Sequence, residues 1–162
     1  MTTPTIVPVQ YNGDATDFLK TKNDKDGGAR IYTGTVSVPS GTAATATVGL
    51  VPFNKGARFN IHSTSVYCGD FGAGTTTAAL GYVYNDNVTY TNAPTNWAST
   101  STAPQSGGFI TIVNNGLPFV AAADGWIVVT INTAAADATA SIDYSFAGCY
   151  DGTAQSNQNG QA

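Results

Sequence analysis

From Ala138 to Phe146 the chain alternates with period two. Ala138, Ala140, Ile142, Tyr144 and Phe146 fall on one side, and Thr139, Ser141, Asp143 and Ser145 on the other. An extended strand points successive side chains to opposite faces, so this spacing predicts a strand with one buried and one wet side. A helix would scatter the same apolar residues around its circumference. Composition carries the inference to the whole chain. Of 162 residues, 62 are Val, Ile, Tyr, Phe, Trp or Thr, whereas only 16 are Leu, Lys, Arg, Met, Gln or Glu. Single-residue propensities are weak, but an imbalance of this size over a full domain specifies an all-β protein.

Further strands are expected at 30–38, 44–50, 57–67, 77–84, 88–92, 109–113 and 125–132. The run Trp126-Ile127-Val128-Val129 lacks alternation, which predicts cover on both faces. Between the strands lie Pro39-Ser40-Gly41, Asn85-Asp86-Asn87, Asn115-Gly116 and Asp124-Gly125, residue types that make turns. About eight strands at this spacing predict an antiparallel two-sheet β-sandwich, jelly-roll-like in topology. Two stretches read as irregular: the Gly-rich Tyr67–Thr77, and a long Thr/Ser/Pro loop, Thr91–Gly108, that carries Trp97. The organisation expected is an N-terminal arm over 1–29, a body over 30–149 and a flexible polar tail over 150–162. Pro4 and Pro8 lack a ladder donor and favour an extended arm or edge strand, while Ile6, Val7, Val9 and Tyr11 are too apolar for a free tail.

The net charge of −4 and the scatter of the six basic residues argue against nucleic acid as a partner, which needs clustered Lys and Arg. No apolar run approaches the length of a membrane helix. The start MTTPTIVPVQ has neither a basic n-region nor an apolar h-region, so synthesis in the cytoplasm with reduced thiols is expected. Two cysteines are too few for a disulfide scaffold. A Cys68–Cys149 bridge would suit an oxidising compartment that nothing in the sequence indicates.

Reactive constellations are sparse. His62 is the one histidine, and on a strand Ser63 points to the face opposite it. Cys68 reads as a small buried hydrophobe before it reads as a nucleophile partnered by His62. Zinc lacks its usual N/S ligands. Asn23-Asp24-Lys25-Asp26-Gly27 opens like a calcium loop, but the chain has no Glu to close one. Gly69–Gly74 (GDFGAG) has neither the Lys nor the following helix of a phosphate loop. Asp70, Asp86, Asp124 and Asp137 sit in turns, where Asp is expected for conformational reasons, and no hydrolytic pair stands out. No cofactor, metal or enzymatic activity is expected. Trp97, with Tyr82, Tyr84 and Tyr90, reads as shared between core and interface ahead of a sugar-stacking platform.

Four stretches together resemble the small head-decoration, or cement, proteins of tailed bacteriophages. They are the arm TPTIVPVQYNGD, the Thr/Ala strand TAATATVGLVPF, the aromatic segment LGYVYNDNVTYTN and the closing pair DGWIVVTINTAAADATASIDYSF. The resemblance implies a β-fold homo-oligomer, usually a trimer, on the outer capsid surface of the virion. There it binds the major capsid protein and stabilises the shell by bridging capsomers. The interface residues expected are Ile6, Val7, Val9 and Tyr11, then Phe18 and Leu19 of the arm, with Trp97 of the body. Equally open is that the arm residues complete the subunit's own sheet. If they serve the capsid, removing residues 1–12 leaves the melting temperature little changed and weakens attachment. The alternative function is a carbohydrate- or receptor-binding β-sandwich, as in a tail-fibre tip or lectin; an Asp-based hydrolase is a distant third.

Overall fold

The computed structural model describes Pro4, Ile6 and residues 30–72, 74–113 and 119–150, with backbone alone at 30, 62, 63, 149 and 150. Among the described residues nine strands run in chain order: β1 Arg30–Val38, β2 Thr47–Phe53, β3 Ala57–Cys68, β4 Thr77–Tyr84, β5 Ala93–Ser101, β6 Gly108–Phe109, β7 Phe119–Val120, β8 Gly125–Asn132 and β9 Ala140–Tyr150. A 3-10 turn at Ala103–Gln105 joins β5 to β6. One sheet has the order β1-β9-β3-β6, with β7 also pairing β3; the other has the order β2-β8-β4-β5. Every pairing between these strands is antiparallel. Early strands pair late ones from the outside inward, β1 with β9 and β2 with β8, so the chain is a long hairpin rolled into two layers. The all-β, jelly-roll-like sandwich predicted from the sequence is what forms.

The two inner faces meet in one core. Val36, Phe59, Val66, Ile142 and Phe146 of the first sheet pack against Leu50, Phe53, Leu80, Ile127 and Ile131 of the second. Pairing register must change wherever the buried parity changes, because a one-residue slip swaps the faces. On β3 the buried residues among those described are Ala57, Phe59 and Ile61, then Val66 and Cys68. The switch from odd to even falls where its register against β9 shifts, between Asn60 and Ser65. β2 does the same: Val48 and Leu50 are followed by Val51 and Phe53, with the shift between Gly49 and Val51.

Several boundaries differ from expectation. Residues 88–92 form a turn instead of a strand: the Asp86 carboxylate accepts the Val88 and Thr89 amides at 3.1 and 3.2 Å, and the Asn92 side chain caps the Tyr84 amide at 2.7 Å. The stretch read as a long loop contains β5. Its pairing with β4 is interrupted by two register shifts, so Trp97 and Ala98 are buried side by side and no period-two pattern survives. Of 109–113, only Phe109 is in a strand. The rest crosses between the layers, with the Ile110 amide donating to the Val66 carbonyl and the Val113 amide to the Trp97 carbonyl. β2 starts at Thr47 because Thr45 takes a left-handed φ of 73°, which a β-branched residue adopts only under constraint. The Asn115-Gly116 turn, the Asn23–Gly27 loop, most of the arm and the tail over 151–162 lie outside the described residues.

Candidate interaction surface

The first sheet leaves its outer face open. Thr33, Thr35 and Ser37 of β1, Asp143 of β9 and Ser65 and Tyr67 of β3 are exposed there. Register aligns Thr35, Asp143, Tyr67 and Phe109 in one row across four strands. The Thr35 hydroxyl donates to the Asp143 carboxylate at 2.6 Å. The row ends in an aromatic pair, Tyr67 and Phe109, with centroids 5.2 Å apart and planes at 72°. Beside Phe109 lies a cleft of about 400 Å³ between β5 and the crossing segment. Ser99, Thr100, Ser101, Ser106 and Thr111 supply hydroxyls to it, Phe109 and Val113 supply apolar surface, and no lining residue is charged.

Three of the exposed large apolar residues among those described, Tyr67, Phe109 and Val113, lie here. Six stand out: Ile31, Tyr67, Val88, Phe109, Val113 and Val120, with Phe109 and Val113 each 67% exposed and Ile31 72%. Phe109 and Val113 share the cleft and Tyr67 packs on Phe109, whereas Val120 pairs Arg58 at the other end of β3. Ile31 lies on β1, the opposite edge of the same sheet. Sequence alone did not mark these residues. Phe109-Ile110-Thr111-Ile112-Val113 is apolar on both faces of an extended chain, and only the fold shows that Ile110 points inward while Phe109 and Val113 stay out.

The arm residue Ile6 is placed on the protein's own sheet. Its amide donates to the Thr47 carbonyl at 3.2 Å, and its carbonyl accepts the Gly49 amide at 2.7 Å, a parallel bridge to Val48 at the β2 edge. Pro4 is buried against Gly49 and Trp126, where a Cβ on Gly49 would overlap both rings. Ile6 therefore completes the subunit's own sheet, the other of the two readings left open for the arm residues. Val7, Val9, Tyr11, Phe18 and Leu19 lie outside the described residues. Trp97 is also corrected as an interface residue. It is fully buried, with ring centroids 5.7 Å from Tyr82 and 5.2 Å from Phe119, and its indole N–H has no hydrogen-bond partner. The bulge in β5 turns it inward. Trp126 is 6% exposed, so neither indole offers a face for stacking a sugar. Tyr84 is likewise buried, and its hydroxyl accepts the Ala122 amide at 3.3 Å.

The remaining candidates serve the fold. Burial pushes the Cys68 thiol up to about 12, leaving it protonated and unreactive at neutral pH. Asp70 accepts the Gly72 amide and Asp124 the Lys55 amide, both at 2.8 Å. Hydrogen bonds from the Thr89 side chain, then from the Thr89 and Val88 amides, hold the Asp86 carboxyl below the usual range. His62 lies in the irregular stretch of β3, and its side chain is outside the described residues. Among the described residues, no three of His, Cys, Asp and Glu come together.

No protein-family model and no curated protein matches the chain. Solved structures do. A chain in the cyanophage Pam1 capsid asymmetric unit aligns with a TM-score of 0.56 and 19% identity, over 77% of this chain and 86% of that one. A chain in the capsid of Ralstonia phage GP4 aligns with a TM-score of 0.53 and 17% identity, over 76% and 83% respectively. At such identities the likeness is one of fold: this chain shares its β-sandwich with chains found in two phage capsids.

Proposed function

We propose that this protein is a structural component of a bacteriophage head, a decoration or cement subunit on the outer capsid surface. It binds the major capsid protein there and bridges neighbouring capsomers, most economically as a trimer. The observation carrying this reading is the sandwich fold, shared over about three-quarters of the chain with chains of two phage capsids. The low charge and the open Thr/Ser-rich face support it, since a lattice repeats a modest neutral contact many times and needs no strong single site. On this reading Val7, Val9, Tyr11, Phe18 and Leu19 carry the arm's contacts with the shell, while Pro4 and Ile6 hold the base of the arm to β2. Asp70, Asp86 and Asp124 are committed to turns and Cys68 is sealed, which favours a structural role over catalysis.

The test is attachment. Purified protein is mixed with undecorated heads assembled from major capsid protein, and the pellet is imaged by cryo-electron microscopy. Regular added density outside the shell is the expected result. Absence from the pellet, or density inside the shell, overturns the proposal. Selective binding on a glycan array without affinity for shells would establish the lectin-like alternative instead.

A further inference from the structure

We propose that the cleft between β5 and the segment 109–113 binds a neutral glycan, with a sugar ring stacked on Phe109 and its hydroxyls bonded to those of Ser and Thr. The proposal goes beyond the capsid role and needs only the free protein. At about 400 Å³ the cleft falls in the range of small-ligand sites. Its walls are fixed by backbone bonds. The Val113 amide donates to the Trp97 carbonyl at 2.9 Å, and the Ile110 amide to the Val66 carbonyl at 2.8 Å. In the turn that borders it, Pro104 is buried and its carbonyl accepts the Phe71 amide at 2.9 Å. A site held this way loses little freedom when a ligand arrives. Exposed Phe109, Thr111 and Val113 alternate with Ile110 and Ile112, which pack on the core, so this wall presents a ring, a hydroxyl and an isopropyl group. Tyr67 braces the Phe109 ring, and Gly107, at a φ of 74°, leaves room for the Tyr67 hydroxyl, 3.0 Å from where a Cβ would stand.

The chemistry of the lining selects the ligand. It holds no charged residue, so a phosphate, carboxylate or ammonium group would lose hydration there and gain no counter-charge. Ser99, Thr100, Thr102, Ser106 and Thr111 bring exposed hydroxyls, and among the described residues none of the five is taken up by a side-chain hydrogen bond. A wholly apolar ligand would dry these groups without pairing them, which costs free energy. A hydroxyl both donates and accepts, and its best match is a group that does the same, another hydroxyl. A sugar ring carries hydroxyls on its rim and C–H bonds on its face. Those C–H hydrogens bear partial positive charge, which suits the negative face of an aromatic ring. Phe109, two-thirds exposed, offers such a face where neither indole does. A peptide strand fits worse, because it would add to the β5 backbone, and the Trp97 carbonyl there already accepts the Val113 amide.

The experiment presents the free full-length protein, without shells, to a printed array of neutral microbial polysaccharides, so its failure is separate from failure of the capsid role. Heparin, polysialic acid and decaproline serve as charged and peptide probes. Binding to at least one neutral polysaccharide, ahead of all three probes, is the expected result. Phe109→Ala removes the stacking face and should weaken that binding about tenfold. Thr111→Val keeps the shape and removes one hydroxyl, for a loss of about fivefold. Ile31→Ala, on the opposite edge of the sheet, should bind as wild type does. All three variants are checked by circular dichroism, and Thr111→Val carries the test if Phe109→Ala folds poorly. Failure to bind any neutral polysaccharide, preference for a charged or peptide probe, or affinity unchanged by both cleft substitutions would each overturn the glycan site.

Discussion

The two sheets have the same strand count along their main paths and opposite surfaces. The β1-β9-β3-β6 sheet buries one face and shows Thr, Ser and Asp on the other. In the β2-β8-β4-β5 sheet, β2, β8 and β4 are buried on both: beyond the main core, Val83, Trp126 and Val128 form a second apolar cluster on the outer side. Glycine makes the difference. Gly49 and Gly81 flank Val128 on the neighbouring strands. Without side chains there, the Pro4 ring settles over Gly49, and the Ala93–Pro94 backbone crosses Gly81. The first sheet places Thr, Ser and Asp at most of the corresponding positions, and its outer face stays in water. One sheet is therefore built to be packed and the other to be presented.

Substitutions that ignore this difference should fail on one sheet alone. The largest effect is expected at Gly81. A Cβ there would overlap the Ala93 carbonyl oxygen and the Pro94 backbone, neither of which can rotate away. Gly81→Val should abolish soluble folded protein, as read by expression yield and circular dichroism. Next comes a paired contrast: Val128→Asp buries an unpaired charge and should cost more than about 3 kcal/mol in urea unfolding. Ser65→Lys, on the open face, should stay within about 0.5 kcal/mol of wild type. Comparable losses from both would break the distinction.

Truncation of residues 1–6 removes the buried Pro4 and the Ile6 bridge from the β2 edge. We expect a loss of about 2 kcal/mol, hence a melting temperature lower by about 4–8 °C. An unchanged temperature would mean that the second sheet does not need its cover. Cys68 tests the seal on the inner side of the open sheet. Burial raises its thiol from the ordinary 9.0 to about 12, so its contribution to stability is full below 9. As pH rises the unfolded chain ionises first, and up to about 1.4 kcal/mol is lost per unit between those values. The wild-type midpoint in urea should fall over that window more steeply than that of Cys68→Ala. Parallel curves would mean that solvent reaches the thiol. The smallest effect is expected at Thr130, whose buried hydroxyl has no hydrogen-bond partner. Thr130→Val keeps the shape and removes that desolvated group, for a gain of about 1 kcal/mol and a rise of about 2–4 °C.

Legibility followed the regularity of pairing. β1, β4 and β8 run at the predicted boundaries because their partners match them residue for residue and the local pattern survives. β5 was invisible. Its register against β4 shifts twice in nine residues, and a strand that bulges loses the period by which strands are recognised. Trp97 was misjudged for the same reason. Its type suits core and interface equally, and the bulge alone decides that it faces inward. Ile6 was ambiguous because an apolar arm fits any greasy surface; the amides of β2 identified which one.

What the sequence determined by itself is the fold class, the doubly covered Trp126–Val129 strand and the wet face of β9. All of these are properties of neighbouring residues or of composition, and short-range pattern is enough to state them. Tertiary structure alone decided which edge Pro4 and Ile6 cover, which aromatics are buried and where apolar surface remains outside. Those outcomes depend on contacts between residues far apart in the chain. Ile110 and Phe109 adjoin in sequence with equal claims to the core, and only the approach of β3 and β5 from either side turns one in and leaves the other in water.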